Sequence, residues 1–422
     1  MTADVDVAFL DVLDPTFRVD SPEVRAAAEA HWYARTPIGI AVLRYAECAE
    51  LMKDRRLPRR IADTVAALGI SDGAFAEFVE RGLLNLEGED HLRLRRLVST
   101  AFNQRSIDRL RPYMRETAHR LIDSFAGAEE CEFMAAFAEP YPAWVIAELL
   151  GIPAEDFGDF LGYATDIGLG LGPTAGQHKE RIEAALAGLN QHCDELVDYR
   201  RQEPGEDLIS ALLVAESAGE RLSEAELRQL VTELVFAGQD TTRNQLGLVM
   251  TTFAEHPEQW ALLRARPELA ASAVEEVMRV TPTVPAYARV ATQDVTFQDV
   301  KIRVGMHVSL LAGAANTEPA MFGDPSFDIT VPRPAHLTFG GGRHYCLGAW
   351  LARAEMSEAL PILATRLGDF TVAGPVPSRP PVGITGPITL PLRFTPGEPS
   401  SAGKQADPSA TILDGGASDT IA

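Results

Sequence analysis

The feature that most constrains this chain is a ten-residue segment, FGGGRHYCLG, at positions 339–348. It places Cys346 at the end of a glycine-rich loop, and the apolar spacing after it predicts a helix from Ala349 to Leu367. Glycines let a backbone pass close to a flat, bulky group without steric clash. A thiolate at the amino terminus of a helix is stabilised by the helix dipole and by free N–H groups.

Three interpretations of this segment compete. A glycine-rich loop before a helix is able to cradle phosphate, but the Lys-Ser/Thr pair of a phosphate loop does not follow here. A lone cysteine after glycine is often only a small buried residue. A soft thiolate next to a backbone that approaches a planar partner is what axial ligation of haem iron requires. The complete ten-residue pattern favours the last interpretation.

Charge narrows the classes of partner. The 422 residues contain 38 Lys and Arg against 60 Asp and Glu, a formal net charge of −22, with 46% hydrophobic residues. This composition predicts a folded globular protein, and its acidity argues against nucleic acid or an anionic membrane as a partner. The acidic start lacks a signal-peptide pattern, and no apolar run reaches the ~20 residues that span a bilayer. We therefore expect a soluble, cytoplasmic protein.

The other cysteines and most histidines show no metal-ligand spacing. Cys48, Cys131 and Cys193 lie far apart without a CxxC pair, so we expect neither a disulfide framework nor a zinc site, and we interpret all three as inert. Seven histidines are interpreted as surface or structural residues: His31, His119, His178, His192, His256, His307 and His336.

Helical periodicity dominates from about residue 70 to 280, and its best example runs from Leu222 to Glu255. Ser223 and Glu226 form a capping-box pattern at its start. About 32 residues at 1.5 Å each give roughly 48 Å, enough to cross a whole domain. The stretch at 237–242, AGQDTT, has little helical preference and predicts an interruption in the middle of this helix.

Strand signals are fewer, at Ile38–Tyr45, at Val295–Leu311 around a turn at Gly305, and in a final hairpin within Phe370–Phe394. The balance predicts a mainly α (α+β) fold with a small sheet. No linker divides the chain, so we expect one domain over residues 16–395 after an N-terminal segment, 1–15. Residues 396–422 are small and polar, which predicts a disordered C-terminal tail.

The segment at 339–348 resembles the haem-binding loop of cytochromes P450, F-G-x-G-x-H-x-C-x-G, and the resemblance extends over about residues 16–395. It is matched at Phe339, Gly340, Gly342, His344, Cys346 and Gly348. The stretch at 237–242 is similar to the A-G-x-D-T-T motif of that family, and Glu276 with Arg279 to its E-x-x-R motif. The resemblance implies the cytochrome P450 fold, with haem b between the long helix and the cysteine loop.

The resemblance also implies roles for these residues. Cys346 is the expected iron ligand, and the small Ala237 and Gly238 are expected to leave room for dioxygen. Asp240 and Thr241 are the expected acid–alcohol pair that supplies protons; the alternative is that they only cap a kinked helix. Glu276 and Arg279 share a helix face and are expected to form a structural pair rather than act in catalysis. Phe339 and Gly348 count among the expected cofactor contacts.

The two haem propionates need cationic partners. His91 and Arg95 are four residues apart in DHLRLRRLV, so they share a helix face. With Arg289 and His344 they match the propionate contacts of the family; the alternative for His91 and Arg95 is a solvated helix surface.

Two positions depart from the pattern of the family. Val331 occupies a place that usually holds arginine, and Arg333, two residues later, is a candidate substitute. Asn316-Thr317-Glu318 replaces the commoner Asn-Arg-Asp.

The expected function is that of a haem-thiolate monooxygenase, a monomer that hydroxylates or epoxidises an apolar or aromatic small molecule in specialised metabolism. Its electrons are expected from NAD(P)H only indirectly, through a ferredoxin and a ferredoxin reductase, with a basic docking patch that includes Arg93 and Arg343. The alternatives are oxidative coupling or peroxide-driven chemistry, and a non-catalytic haem sensor or electron carrier. Expected pocket walls are Arg56–Leu86, 157–190, Ala237 with Gly238, Pro282–Ala286 and Gly383–Pro387.

Overall fold

Helices form most of the computed structural model, which describes residues 7–14, 16–153, 156–172, 174–217, 222–380 and 383–397. A π-helical turn at Met134–Ala138 precedes α8. The α-helices are α1 Pro22–Ala30, α2 Tyr45–Leu51, α3 Ile61–Ala67, α4 Ala74–Arg81, α5 Gly88–Ser99, α6 Gln104–Asp108, α7 Arg111–Asp123, α8 Pro140–Leu150, α9 Phe157–Gly168, α10 Lys179–Gln202, α11 Leu208–Ser217, α12 Glu224–Glu255, α13 Pro257–Ala265, α14 Ala270–Val280, α15 Ala312–Ala315, α16 Pro319–Phe322 and α17 Ala349–Leu367.

The strands form three small sheets in the described residues. They are β1 Tyr33–Thr36, β2 Gly39–Val42, β3 Glu130–Glu132, β4 Tyr287–Val290, β5 Val295–Phe297, β6 Val300–Ile302, β7 His307–Leu310, β8 Phe370–Val372 and β9 Pro391–Phe394. The sheet orders are β1-β2-β7-β4, β3-β9-β8 and β5-β6. Strand β2 pairs in parallel with β7, with Ile40 opposite Val308. The predicted final hairpin is present, since Phe370 pairs with Phe394, and β3 joins it.

The long helix α12 begins and ends close to its predicted bounds. Ser223 caps it, and both hydrogen bonds of the capping box with Glu226 are present. The predicted interruption at 237–242 is wrong, because α12 is one continuous helix of 32 residues. Tertiary packing overrides the weak local preference: the Asp240 carboxylate bonds to Asn244 and to a distant arginine instead of to its own backbone.

Two main cores position the site. A large helical core surrounds α12 and contains most of the buried aliphatic and aromatic residues, including Phe137 and Tyr141. A smaller core lies under the four-stranded sheet, where Trp32 and Val308 are buried. Within the described residues, no helix combines the length and apolar character that crossing a membrane requires.

The first and last described segments contact the body through backbone hydrogen bonds. Residues 8–10 pair with β1, since the Leu10 N–H donates to the Arg35 carbonyl over 2.8 Å. At the other end, the Gly397 N–H donates to the Arg366 carbonyl over 2.9 Å. Most of the predicted tail, 398–422, lies outside the described residues.

Candidate active site

The cysteine loop is a tight turn that delivers Cys346 to the start of α17. Gly340 and Gly342 adopt positive φ angles of 71° and 67°, where glycine is favoured. A Cβ on Gly342 would come within 3.0 Å of the Met52 carbonyl oxygen, so this glycine is also required by close backbone packing. The Cys346 N–H donates to the Phe339 carbonyl over 2.9 Å and closes the loop. Cys346 is an exposed free cysteine.

The environment of Cys346 differs from that of the other cysteines. Desolvation by the surrounding protein raises the pKa of its thiol, while the Gly348 N–H and the Arg95 guanidinium lower that pKa. Cys48 and Cys193 are buried and uncharged, and burial raises the pKa of Cys193 to about 12. The fixed donors that favour a thiolate therefore surround Cys346, as the sequence predicts.

Phe339 anchors the other end of the loop. It is 9% exposed, and the Arg353 guanidinium lies 4.3 Å from the centre of its ring. Arg353 in turn forms a two-point ion pair with Glu275, with N–O distances of 2.6 and 3.0 Å. This stack ties the loop to α14 and α17, so the position of Cys346 depends on three elements rather than on one turn.

A cationic cradle lies beside the loop. We define it as the residues predicted to bind propionates: His91, Arg95, Arg289 and His344. The His91 and His344 rings are 4.5 Å apart between centres, and Arg95 donates to the Tyr345 carbonyl. Arg289 is 3% exposed, and the structure gives its side chain one hydrogen bond, to the Ala288 carbonyl. The fold thus brings together all four predicted residues.

The cradle is short of negative charge. His91 is fully buried, and neither ring nitrogen has a hydrogen-bond partner among the described residues. Burial first, and nearby cations second, lower the pKa of His91 to about 4 and that of His344 to about 3. Burial and Arg59 lower the pKa of Arg289 to about 10. Glu87 is paired with His344 in this region, while His91 has no partner among the described residues and Arg289 has a single carbonyl. Buried bases with so few acids indicate a site for an anionic group, and the two carboxylates of haem fit it.

Two residues of this region were not predicted from the sequence. Arg59 acts electrostatically on Arg289, His344 and Cys346. Glu87 accepts from His344 Nε2 at 3.0 Å and from Arg343 at 2.7 Å. Both residues lie far from the cysteine loop in the sequence. The one signal in the sequence was the segment RRLPRR, which indicates a cluster of basic residues around Arg59.

The small-residue stretch of α12 contacts α17, the helix that follows the cysteine loop, since Thr242 Oγ1 donates to Glu355 over 3.2 Å. Ala237 is exposed, as expected if it borders an open space. Gly238 allows two helices to pack closely, since a Cβ there would lie 2.7 Å from Ile146 of α8. Its expected role of leaving room for dioxygen stays a prediction.

The acid and the alcohol on α12 point to different partners. Asp240 is 9% exposed, its Oδ2 accepts from Arg379 at 2.7 Å, and its Oδ1 accepts from Asn244 at 3.0 Å. Thr241 Oγ1 donates to the Ala237 carbonyl over 3.4 Å, a long and weak bond. Its hydroxyl is therefore able to reorient, while the Asp240 carboxylate is held in place.

The predicted structural pair is confirmed in its geometry. Glu276 and Arg279 are 2% and 1% exposed, and two N–O distances of 2.6 and 2.7 Å join them. Arg279 also donates to the carbonyls of Asn316, Pro325 and Ser326, each over 3.1 Å. A buried pair that is fully hydrogen-bonded in this way belongs to the framework of the site, not to its chemistry.

Arg333 occupies the place left by Val331. Its Nη2 lies 3.6 Å from Glu276, and it donates to the carbonyls of Phe322 at 2.7 Å and Ser326 at 3.1 Å. Val331 is 36% exposed and faces outward. Arg333 thus reaches Glu276 although it lies two residues later in the sequence than the usual arginine of the family.

Both arginines named for the predicted docking patch form ion pairs within the protein, and the patch itself stays a prediction. Arg93 forms an ion pair with Glu226 and lies 3.3 Å from Asp90, and Arg343 pairs with Glu87 at 2.7 Å. The charges of both arginines are therefore compensated by carboxylates that sequence distance concealed.

Several known proteins are similar to this chain in sequence or in structure. A family model described as Cytochrome P450 matches residues 171–381. Luteothin monooxygenase of Streptomyces thioluteus is 41% identical over 393 residues, 92% of this chain and 96% of that protein. Mycinamicin IV hydroxylase/epoxidase of Micromonospora griseorubida is 39% identical, over 75% of this chain and 80% of that one. The crystal structure of CalO2 superposes with a TM-score of 0.83 at 30% identity, over 91% of this chain and 100% of that chain. The chain therefore belongs to the cytochrome P450 family, and it is a haem-containing monooxygenase of specialised metabolism.

Proposed function

We propose that this enzyme inserts one atom of dioxygen into an apolar or aromatic small molecule, by hydroxylation or epoxidation. One arrangement carries the proposal: an exposed cysteine lies just before α17 with an incompletely satisfied cationic cradle beside it, and α12 is joined to α17 next to its Ala237–Thr241 stretch, where Thr242 Oγ1 donates to Glu355 over 3.2 Å. Electrons are supplied by a ferredoxin and its NAD(P)H-dependent reductase. The catalytic unit is a single domain over residues 16–395 in a cytoplasmic monomer.

The residues that hold haem b in this proposal are those of the loop and the cradle. Cys346 binds the iron, and His91, Arg95, Arg289 and His344 bind the propionates. Haem supplies the redox chemistry that activates dioxygen when it is bound. The protein supplies orientation and compensating charge, because a propionate placed beside His91 and Arg289 removes the deficit of negative charge described above.

Thr241 and Asp240 handle protons in this proposal. Thr241 Oγ1 lies on the face of α12 that carries the exposed Ala237, so a reoriented hydroxyl is able to donate a proton into the space beside that face. Asp240 is the residue directly before Thr241 on the helix, and its carboxyl accepts hydrogen bonds from Arg379 and Asn244. It is placed to return a proton to the hydroxyl through water.

The substrate pocket is bordered by segments that the sequence analysis named. A Cβ on Gly170 would clash with Phe75 at 2.3 Å, which places 157–190 against Arg56–Leu86. Gly383 lies against the Leu171 carbonyl, and the Thr385 N–H donates to the Thr283 carbonyl over 2.8 Å. These contacts support one continuous wall, and its aliphatic and aromatic members favour an apolar substrate.

A revised docking surface supports the ferredoxin proposal. Leu92 and Trp350 are 58% and 48% exposed, at positions that flank the cysteine loop on α5 and α17. Arg96 is exposed one helical turn after Leu92, and Arg105 and Arg109 are exposed on and directly after α6, which packs on α17. An apolar centre with a cationic rim fits an acidic protein partner better than the paired Arg93 and Arg343 do.

The function is tested with purified holoenzyme. The reduced carbon monoxide complex is expected to show the absorbance band of thiolate ligation, and Cys346→Ser is expected to lose it. Turnover with a ferredoxin and reductase is expected to yield a product with one added oxygen atom from labelled dioxygen. Thr241→Ala is expected to consume oxygen with little product. A coupled dimeric product without added oxygen would refute the insertion reaction.

The docking surface is tested by charge reversal. Arg96→Glu combined with Arg109→Glu is expected to slow ferredoxin-supported turnover about tenfold or more while peroxide-driven turnover stays nearly unchanged, since steering by surface charge affects only association. Arg25→Glu, on the exposed surface of α1, is the matched control. An equal loss in both assays would refute the docking role.

A further inference from the structure

A carboxyl group lies close to the proposed substrate space without a role in the proposed function. Glu233 is on α12, one helical turn before Ala237, and residues four apart share a helix face. Ala237 is exposed on that face, whereas Glu233 is only partly exposed. An acidic side chain beside an otherwise apolar pocket wall requires a physical reason, because burying a carboxylate is costly.

The contacts of Glu233 lead to the end of α4. Its Oε2 accepts from the Leu83 N–H over 3.0 Å. A Cβ on Gly82 would lie only 2.0 Å from Glu233 Oε1, so the close approach depends on glycine at that position. One turn earlier on α12, Gln229 donates to the Phe78 carbonyl over 2.8 Å. Two side chains of α12 thus hold the end of α4 and the first residues after it.

The segment that follows connects two walls of the haem space. We name Gly82–Glu87 the bridging turn. Its backbone is closed by bonds from the N–H groups of Asn85 and Leu86 to the Gly82 carbonyl, each 2.9 Å. Its far end reaches the cysteine loop, where Glu87 contacts His344 at 3.0 Å. The bridging turn therefore runs from α12 to the cysteine loop, which it contacts at its far end.

We propose that Glu233 is a positioning residue that holds the bridging turn on α12 and thereby limits the entry of small molecules into the haem space. The inference rests on the proposed function only in taking that space as the substrate pocket. Glu233 touches neither haem nor iron ligand in this scheme. It acts through the Leu83 N–H and through the packing of its carboxyl on Gly82.

Because Glu233 gains and loses a proton, the stability of its contact with the bridging turn depends on pH. Burial raises its pKa from 4.5 to about 7, opposed by the Leu83 N–H and the Gln229 side chain. When the turn opens, the carboxyl is hydrated and its pKa returns toward the ordinary value. The closed turn thus loses stability as pH rises from about 4.5 to about 7, and opening is most frequent above that range.

Amide hydrogen exchange on the haem-loaded enzyme tests the hold directly, in peptides that contain residues 82–87. At pH 7.5, a Glu233→Gln enzyme is expected to exchange about tenfold more slowly than wild type, because a carboxamide oxygen still accepts the Leu83 N–H but does not ionise. Glu233→Ala is expected to exchange about tenfold faster, because it removes the acceptor. Glu224→Gln, whose side chain is 70% exposed at the start of α12, is the control.

Two further measurements keep the test decisive. The association rate of 4-phenylimidazole, followed by the haem absorbance shift, is expected to rise in Glu233→Ala and to fall in Glu233→Gln. Gly82→Ala is expected to behave like Glu233→Ala and replaces it if that variant does not fold. Unchanged exchange and unchanged association in Glu233→Gln and Gly82→Ala would overturn the proposal. If oxygen insertion fails but exchange follows this order, only the proposed function falls.

Discussion

Two groups of buried charges in this enzyme differ in whether the protein itself supplies their partners. This difference distinguishes the structural framework from the proposed binding site. Around Glu276 and Arg279, every charge has an opposite charge or a carbonyl partner within the protein. In the cradle, His91 has no partner among the described residues, and Arg289 has a single carbonyl. A charge group that the protein satisfies stabilises the fold, whereas one that it leaves unsatisfied awaits a ligand. The unsatisfied group supports the proposed haem site by an observation separate from the cysteine motif.

The largest effect is expected from breaking the satisfied group. Glu276→Ala leaves Arg279 buried and unpaired, and breaking a buried pair costs about 3–5 kcal/mol. Urea unfolding of the apoprotein and of the holoenzyme is expected to show this loss in both. The double variant Glu276→Leu with Arg279→Met is the control, since it removes both charges. A fully stable Glu276→Ala protein would contradict the distinction.

The opposite response is expected from the unsatisfied group. Arg289→Leu removes a buried cation that lacks an acid, so the apoprotein is expected to be as stable as wild type or more so. The same change removes a charged contact to a propionate, worth about 1.5–3 kcal/mol, and haem is expected to dissociate about 10- to 100-fold faster. Haem transfer to apomyoglobin measures the rate. If Arg289→Leu destabilised the apoprotein as much as Glu276→Ala does, the distinction between the two groups of charges would be wrong.

A smaller effect is expected from the outer member of the satisfied group. Arg333 lies 3.6 Å from Glu276 and makes two carbonyl hydrogen bonds, so Arg333→Gln is expected to cost about 1–2 kcal/mol in urea unfolding. Val331→Arg, which introduces an arginine at the usual place in the family, is expected to leave the stability of the wild type unchanged because Arg333 already fills the site. It is also expected to recover part of the loss when combined with Arg333→Gln.

The subtlest difference is expected in the pH dependence of stability. The apoprotein holds His91 and His344 with pKa values of about 4 and about 3, below the ordinary 6.5. Stability from this source is present above pH 6.5 and is lost as pH falls toward those values, because the unfolded chain binds protons first. The holoenzyme is expected to show a shallower slope between pH 6.5 and 5, since propionates favour the protonated forms. Identical slopes in urea midpoints would contradict the role of the cradle.

Local patterns were predicted well from sequence. The capping box at Ser223 and Glu226 and the loop around Cys346 depend on residues within a few positions of one another, so their spacing is visible in the chain. Partners distant in sequence were missed for the opposite reason. Arg379 reaches Asp240 across 139 positions, and Glu87 reaches His344 across 257. The ion pairs of Arg93 and Arg343 and the contact of Glu233 with Leu83 were missed for the same reason.

Helix continuity was misjudged for an energetic reason. Weak propensity in AGQDTT suggested a break in α12, yet Gly238 packs on Ile146 and Asp240 is anchored from outside the helix. Propensity differences of about 1 kcal/mol or less per residue are outweighed by such packing. Gly238 shows the same limit, since its neighbour across the helix interface cannot be read from the chain.

The parallel pairing of β2 with β7 determines when this chain is able to finish folding. It joins Gly39–Val42 to His307–Leu310, so the hairpin made first during synthesis waits for its sheet partner until most of the chain has been made. Strand β3 waits still longer, for Pro391–Phe394. Contacts this far apart in sequence slow folding and leave strand edges unpaired meanwhile. The four-stranded sheet and the sheet that contains β3 are therefore expected to form late in folding, after these distant strands are available.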